Sequence, residues 1–368
     1  MTSAIKSKTK NVSILLIIDI AVFVFLACFP AMANTFRLQI MARCLCYIVL
    51  AYSLDLLWGY VGLMSMGHAV FFGIGGYILA IGYSMQDGVP SYMTSLGYME
   101  APGVYYVLTN KTVAFFAALI GCAIVAGILG AFLFSKKVNS VFFSLITFAL
   151  ARVFELLINN QQRYTGGANG ITKISRRLFL EMDIPRTVYY YVLLAIVILA
   201  YLFCKWLTGS KFGLILEAVR ENEDRMSFFG YYVIRFKILI FVLSAVLAGL
   251  AGIMFATSQS YIGPSNVGIS ASTAVIVWLA LGGRGNITGA TVGTLVACWA
   301  ESLFSEQLTD YWNIIYGIMI LVVVFLIPRG IIGQLQAFLY ERKTARRRNI
   351  DLEEKMTGKQ GDAYEQYQ

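Results

Sequence analysis

Long apolar runs recur along most of this 368-residue chain, and most are about as long as a bilayer is thick. An α-helix needs roughly 20 apolar residues to cross about 30 Å of hydrocarbon. We place such runs at residues 12–29, 38–57, 63–83, 113–134, 141–158, 188–206, 236–258, 268–281, 287–304 and 312–327. The sequence therefore predicts an all-α, polytopic membrane helical bundle of about ten transmembrane helices.

Charged residues are too scarce for a soluble protein of this length. They make up 13% of the chain, whereas 58% of its residues are hydrophobic. Soluble domains are typically about 25% charged and 45–50% apolar. Lipid must cover the remaining apolar surface, so we expect a multi-pass protein of the cell (inner) membrane.

The net charge of +9 is concentrated at the chain ends and in alternate loops. Lys6, Lys8 and Lys10 precede the first run, and Arg346 to Arg348 follow the last. Basic clusters beside spans mark the cytoplasmic side, so both termini are predicted to be cytoplasmic. The loop 159–186 does not fit this topology. Counting spans from a cytoplasmic N-terminus places the loop outside, although it carries five basic residues. Anionic lipid headgroups, not nucleic acid, are the expected neighbours of the basic clusters.

One transmembrane domain, residues 1–333, is predicted to precede a basic and then polar cytoplasmic tail, residues 334–368. The first run has a second interpretation, because three lysines, an apolar stretch and Ala31-Met32-Ala33 resemble a cleavable secretory signal. The run is longer than the usual 7–15-residue signal core and contains Asp19. A retained helix is therefore favoured.

Two glycine-rich segments predict discontinuous helices. Residues 58–77 hold six glycines and the only histidine, His68, and residues 282–289 follow the short run 268–281. Close helix packing is one explanation for the glycines. The other is that the helices are broken where they line a cavity, which points to a midplane solute site between inverted repeats. His68 would then either line the solute path or fix the break through hydrogen bonds.

Two polar segments and a set of buried charges complete the candidates. Residues 164–172 read as an exposed, glycine-containing turn. Residues 213–230 have helical spacing and predict a short, charged cytoplasmic helix, which either lies on the membrane or docks on a partner. Ionisable residues inside spans are costly and often functional. They are Asp19, Arg43, Asp55, Arg152, Glu155 and Glu301, of which Arg152 and Glu155 are spaced to pair.

Residues 65–77 (SMGHAVFFGIGGY) and 165–171 (TGGANGI) resemble the branched-chain amino-acid permease family of ATP-binding-cassette importers. The resemblance extends from about Leu45 to Gly333. Within the family, the urea branch is the most similar. The segments that resemble it are 55–63 (DLLWGYVGL), 142–147 (FFSLIT), 276–278 (IVW), 282–285 (GGRG), 311–312 (YW) and 325–330 (FLIPRG).

The resemblance implies a non-enzymatic permease subunit of an ATP-driven importer, which would move urea or a short amide by alternating access. It implies a second homologous permease chain, two cytoplasmic ATPase subunits and an extracytoplasmic solute-binding protein. ATP and Mg²⁺ would bind to the ATPases, with no cofactor, metal or catalytic residue in this chain. Residues 211–230 would be the coupling helix that contacts an ATPase. Its candidate contact residues are Gly213, Glu217, Ala218, Arg220, Glu221 and Asp224.

Urea is neutral, so its path should offer hydroxyl, amide, imidazole and backbone groups. The candidates are Ser65, His68, Ser144, Thr147, Thr165, Gly166, Gly167 and Asn169. Two alternatives stay open. A branched-chain amino-acid permease would need charged groups for a zwitterion, such as Arg152 or Glu155. A passive channel would need no coupling helix.

Overall fold

The computed structural model describes residues 2–86, 88–135, 138–174, 184–307, 317 and 330–334. Within these residues the fold is helical apart from two short strands. The helices are α1 (Thr2–Met32), α2 (Thr35–Trp58), α3 (Ala69–Ser84), α4 (Ser91–Thr94), α5 (Gly103–Leu108), α6 (Lys111–Ser135), α7 (Ser140–Asn160), α8 (Gln162–Thr165), α9 (Arg186–Gly209), α10 (Lys211–Glu221), α11 (Glu223–Phe228), α12 (Val233–Gln259), α13 (Ile269–Gly282) and α14 (Ile287–Gln307). The strands are β1 (Ile171–Thr172) and β2 (Tyr261–Ile262), which pair antiparallel.

Six helical stretches of the described chain are long and apolar enough to cross a membrane. They are Thr35–Val61, Lys111–Ser135, Ser140–Asn160, Arg186–Gly209, Val233–Gln259 and Pro264–Gly282. The apolar part of α1, Leu16–Met32, and α3 are shorter. The helix α14 has 21 residues, but threonine, serine and glutamate dilute its apolar character. The helical membrane bundle is confirmed, whereas the number of ten spans stays a prediction. The run 312–327 and the tail after residue 334 lie outside the described residues.

Two predicted helices differ from the observed ones. The span predicted at 63–83 begins only at Ala69, because residues 59–68 are not helical. The segment 213–230 is divided into α10 and α11 by Asn222, whose extended backbone interrupts the helix. The Asn222 side chain accepts a hydrogen bond from the amide of Arg225 at 2.8 Å, so the break is also the N-cap of α11.

The centre of the bundle is formed by α2 and α12, which are buried along most of their lengths. Glycines allow α12 to approach α3 closely, since a Cβ on Gly252 would meet the carbonyl of Phe72. The outer helix α6 instead exposes Ile120, Ile124 and Ile128, spaced four residues apart on one face. An apolar face of that kind suits contact with lipid.

Candidate functional site

The non-helical residues 59–68, here called the linker, join the end of α2 to the start of α3. Gly62 in the linker has φ +83°, a left-handed conformation that glycine adopts without steric cost. Polar backbone groups that leave a helix inside a membrane must find other partners. The linker therefore marks a place where the fold supplies hydrogen bonds from elsewhere.

Three hydroxyl groups on one face of α7 supply those hydrogen bonds. Ser140, Ser144 and Thr147 are spaced four and three residues apart, so they lie on one side of the helix. The contacts are Ser140 Oγ to Gly62 O at 3.1 Å, Ser144 Oγ to Met64 O at 2.7 Å, and Met66 N–H to Thr147 Oγ1 at 3.1 Å. Ser144 and Thr147, predicted as path residues, thus hold the linker against α7.

His68, at the end of the linker, is buried between α2 and α12. Its Nε2 lies 2.9 Å from Ser53 Oγ and 3.2 Å from Ser244 Oγ. Both hydroxyl protons are used elsewhere, by the carbonyls of Leu50 at 2.6 Å and Ser53 at 2.5 Å. Nε2 must therefore carry a proton and donate it, while Nδ1 is buried without a partner among the described residues. This geometry favours fixing of the helix break over direct lining of the path.

The starts of the two discontinuous helices lie together. The amide of Ala69, the first residue of α3, donates to Ser272 Oγ in the first turn of α13 at 3.1 Å. Ser65 lies just before this contact, and its buried hydroxyl has no hydrogen-bond partner among the described residues. Of the predicted path residues in the linker and α7, Ser65 and His68 each have a buried polar atom without a partner among the described residues, the Ser65 hydroxyl and His68 Nδ1.

Arg152 and Glu155 of α7 form the predicted pair, with 3.2 Å between Nη1 and Oε2. Their exposure differs, since the Arg152 side chain is more than half exposed and that of Glu155 is mostly covered. The Glu155 carboxylate lies against Gly268, the N-cap of α13. A carboxylate is stabilised near the positive end of a helix dipole, so this pair has a structural role.

The loop after α7 is a compact turn. Gly166, Gly167 and Gly170 all have positive φ. Thr165 Oγ1 donates to the carbonyls of Ile158 at 2.6 Å and Gln161 at 2.9 Å, either in turn or as a shared bond, which closes the turn onto α7. Thr165, Gly166 and Gly167 are thus structural parts of the loop.

Asn169 is exposed, as are Ala168 and Tyr164 of the same loop. The strand β1 that follows it pairs with β2, with Ile171 opposite Ile262. The loop also receives a hydrogen bond from Tyr105 in α5, whose hydroxyl donates to the carbonyl of Tyr164 at 2.7 Å. Burial raises the pKa of Tyr105, so its hydroxyl stays protonated and remains a donor.

The predicted coupling segment, α10 and α11, contacts the linker directly. Arg220 Nη1 donates to the carbonyl of Gly59. A Cβ on Gly62 would lie 3.0 Å from Arg220 Cγ, so the stem of this arginine packs on the linker backbone. Arg220 is therefore the predicted coupling residue that faces the membrane domain.

The glycine cluster between α13 and α14 meets the same end of α2. The amide of Gly285 donates to Asp55 Oδ1 at 2.6 Å. Gly283 and Gly285 have φ +109° and +76°, which explains why glycines occur here. The coupling segment, the linker and the second glycine cluster therefore converge on the last residues of α2.

The remaining predicted coupling residues divide into a buried and an exposed group. Gly213 is buried, and a Cβ there would meet the carbonyl of Thr208. Glu217, Glu221 and Asp224 are exposed and Ala218 is half-buried. Glu223 pairs with Lys237 of α12 and so fixes α11 to the bundle. The exposed carboxylates form the face that is free to meet a partner.

Sequence reasoning missed four serines of this site. Ser140 could have been found, because its spacing from Ser144 and Thr147 places three hydroxyls on one helix face. Ser53, Ser244 and Ser272 are single serines within apolar helices, and nothing local distinguishes them from packing residues. Their partners come from distant helices, so only the tertiary structure reveals them.

Comparison with known proteins agrees with this geometry. A family model described as "Branched-chain amino acid transport system / permease component" matches residues 36–324, which include the linker, the coupling segment and both glycine clusters. No solved structure matches the chain.

Three relatives carry related names. "High-affinity branched-chain amino acid transport system permease protein LivM" of Escherichia coli (strain K12) is 24% identical over 337 residues, 85% of this chain and 74% of the relative. "Probable branched-chain amino acid transport permease protein LivM" of Methanocaldococcus jannaschii is 22% identical over 314 residues, 78% of this chain and 90% of the relative. "High-affinity branched-chain amino acid transport system permease protein LivH" of Escherichia coli (strain K12) is 31% identical over 126 residues, 34% and 41% of the two chains.

Proposed function

This chain belongs to the family of branched-chain amino-acid transport-system permease components, and from this premise we propose that it is the membrane subunit of an ATP-driven importer for branched-chain amino acids. The observation that carries the proposal is the match over residues 36–324, which spans the linker and the coupling segment. The chain is a multi-pass protein of the inner membrane. Ten spans with both termini in the cytoplasm remain part of the proposal, supported by the basic clusters at both ends.

The comparisons favour branched-chain amino acids, the alternative substrate in the sequence analysis, over urea, its main interpretation. The relatives compared above are named for branched-chain amino-acid transport. Urea transport is supported only by the sequence segments on which it was predicted. We therefore place branched-chain amino acids first and keep urea as the competing outcome of the experiment below.

The proposed assembly contains a second permease chain, two ATPases that bind ATP and Mg²⁺, and an external solute-binding protein. The exposed carboxylates Glu217, Glu221 and Asp224 would contact an ATPase, and the exposed Asn169 loop would face the binding protein. The division of α10 and α11 supports this, because one helix packs on the bundle while the break at Asn222 turns the next one. A passive channel would have no use for such a segment.

The proposed mechanism begins with movement of α10 when the ATPases close. Arg220 passes that movement to Gly59, and Asp55 passes it to Gly285. The linker and the second glycine cluster then move together, and with them the starts of α3 and α13. In this mechanism His68, Ser144 and Thr147 set the position of the linker, whereas Ser65 contacts the solute.

Uptake of labelled leucine and labelled urea tests the proposal. Both are measured in cells that lack this chain, with and without its re-expression, and with the remaining subunits present. We expect leucine uptake to be lost and restored with the chain while urea uptake does not change. Restoration of urea uptake alone would overturn the amino-acid assignment but leave the permease assignment standing. Flux that continues without ATP would favour a channel.

A further inference from the structure

A cavity of about 320 Å³ opens between the start of α2 and the end of α14. It is lined by Phe36, Gln39, Ile40, Arg43, Gln259, Glu301 and Ser302. Its volume falls at the small end of the range for small-molecule sites. The cavity lies apart from the linker and the coupling segment and is not part of the site described above.

The lining residues lie near one face of the membrane domain, because α2 and α14 pack antiparallel. At one end Gly285, just before α14, contacts Asp55 near the end of α2. At the other end Arg37 and Leu303 line a common cavity. Arg43 is about 12 Å along α2 from Thr35, and Glu301 is about 9 Å along α14 from Gln307, at 1.5 Å per residue. The two charges therefore lie at similar depth.

Arg43 and Glu301 share the cavity without pairing. No ion pair or hydrogen bond joins them in the described part of the chain, and Arg43 Nε is buried without a partner there. Their charges nevertheless interact through space. Opposite charges that lie partly buried in one cavity without a direct contact are costly unless something else compensates them. A ligand that carries both charges would compensate both at once.

We propose that this cavity binds a free α-amino acid, with Arg43 on the carboxylate and Glu301 on the ammonium group. A guanidinium binds a carboxylate through two parallel hydrogen bonds. Gln39 and Gln259 add amide groups to the same cavity. Urea has no charge and would leave both residues uncompensated.

An adjoining cavity of about 470 Å³ fits the apolar side chain of such a ligand. It shares Phe36, Ile40 and Ser302 with the first cavity and adds Trp299, Leu303, Asn34 and Arg37. Phe36, Ile40, Trp299 and Leu303 offer apolar surface to an aliphatic side chain, beside the polar groups of Asn34 and Arg37. The inference thus rests on the proposed function and names a site for its substrate, at the membrane face where α2 begins and α14 ends.

The test uses the complete transporter and a cysteine reporter. Ser302 lies in both cavities, so Ser302→Cys in a Cys28→Ala background places a thiol beside the ligand, and Cys28 is the one exposed cysteine among the described residues. We expect leucine to slow labelling by a small methanethiosulfonate reagent. At the same concentration as leucine, 4-methylpentanoate, which lacks the ammonium group, and isopentylamine, which lacks the carboxylate, should not slow the labelling.

Arg43→Gln and Glu301→Gln should each raise the leucine concentration needed for protection at least tenfold, while the amount of complex in the membrane stays within twofold of the parent. Arg43→Lys should raise the leucine concentration needed for protection less than Arg43→Gln does, because lysine keeps the positive charge. Arg235→Gln and Glu100→Gln, at exposed positions outside both cavities, serve as matched controls.

The proposal is overturned if leucine, 4-methylpentanoate and isopentylamine slow the labelling equally. It is also overturned if Arg43→Gln and Glu301→Gln need no more leucine for protection than the control variants. Leucine uptake by the parent complex is measured in parallel and tests the proposed function on its own. If the complex imports leucine but leucine does not slow labelling of the Ser302→Cys variant, the proposed function stands and the proposed site is refuted.

Discussion

Arg220 of α10 donates a hydrogen bond to the carbonyl of Gly59, which lies 161 residues earlier and directly follows α2. A residue of the predicted coupling segment thereby contacts the linker between α2 and α3. The contact offers a direct route by which movement at an ATPase could reach the solute path.

Replacing Arg220 should uncouple ATP hydrolysis from transport. Arg220→Ala removes the hydrogen bond to Gly59 and the packing against Gly62, so we expect leucine uptake to fall at least about tenfold, or 1.4 kcal/mol. ATPase activity of the purified complex should persist, since Glu217 and Asp224 are unchanged and Glu221 loses only its exposed ion pair with Arg220. Lys211→Ala, at an exposed position of the same helix, is the control. Normal uptake by Arg220→Ala would contradict this coupling route.

Thr147 should stabilise the linker. Thr147→Val preserves shape but leaves the buried amide of Met66 without its acceptor, which costs about 1–3 kcal/mol. The expected result is a lower unfolding temperature of the purified complex. Thr273→Val is matched in chemistry, because Thr273 is exposed and bonds only within its own helix, to Ile269 O at 2.8 Å. Equal unfolding temperatures for the two variants would count against the role of α7 in holding the linker.

His68 can be tested for both of its predicted roles at once. His68→Phe removes the contacts with Ser53 and Ser244, so we expect a stability loss of about 1–3 kcal/mol. If fixing of the break is its role, the apparent affinity for leucine in uptake assays should stay within twofold. A large change in affinity at unchanged stability would instead support path lining.

Asp19 should hold α1 in the bundle. Its Oδ2 accepts from Thr288 Oγ1 at 3.0 Å and from Tyr201, and Lys205 Nζ lies 3.7 Å away. We expect mass spectrometry of the mature protein to find the first helix retained. Asp19→Leu should lower the unfolding temperature, with a loss of about 1–3 kcal/mol, while Asp19→Asn retains part of the hydrogen bonding and should lose less. Cleavage after Ala33 would refute this prediction.

Gly170 should tolerate no side chain, and Gly97→Ala is the control that separates the steric contact at Gly170 from backbone strain. Its φ is +66° and a Cβ would meet the carbonyl of Ile262, whereas Gly97 has φ +82° with nothing within 4 Å. Both Gly→Ala variants carry backbone strain of about 1–3 kcal/mol, and Gly170 has a ψ of −166°, which places it in a region open essentially to glycine alone. Only Gly170→Ala should also separate β1 from β2 and reduce uptake. A comparable loss in both variants would show that strain alone is responsible.

Much of the fold was predictable from the sequence because the length and hydrophobicity of a span are local properties. Nine of the ten predicted runs coincide with helices, and the tenth lies outside the described residues. The glycines predicted the break before α3 but not how many residues it spans. The pair Arg152–Glu155 was predictable because helix geometry fixes neighbours three residues apart.

The candidate site depends on contacts between segments far apart in the chain. His68 could not be assigned its partners from sequence, since Ser244 lies 176 residues away on α12. Arg43 and Glu301 were recognisable as charges inside spans, but only the antiparallel packing of α2 and α14 places them in one cavity. The sequence by itself determined which segments form the long apolar helices, because the length and hydrophobicity of a run are local properties. The tertiary structure alone decided which polar groups meet, because side-chain packing between distant helices sets those contacts.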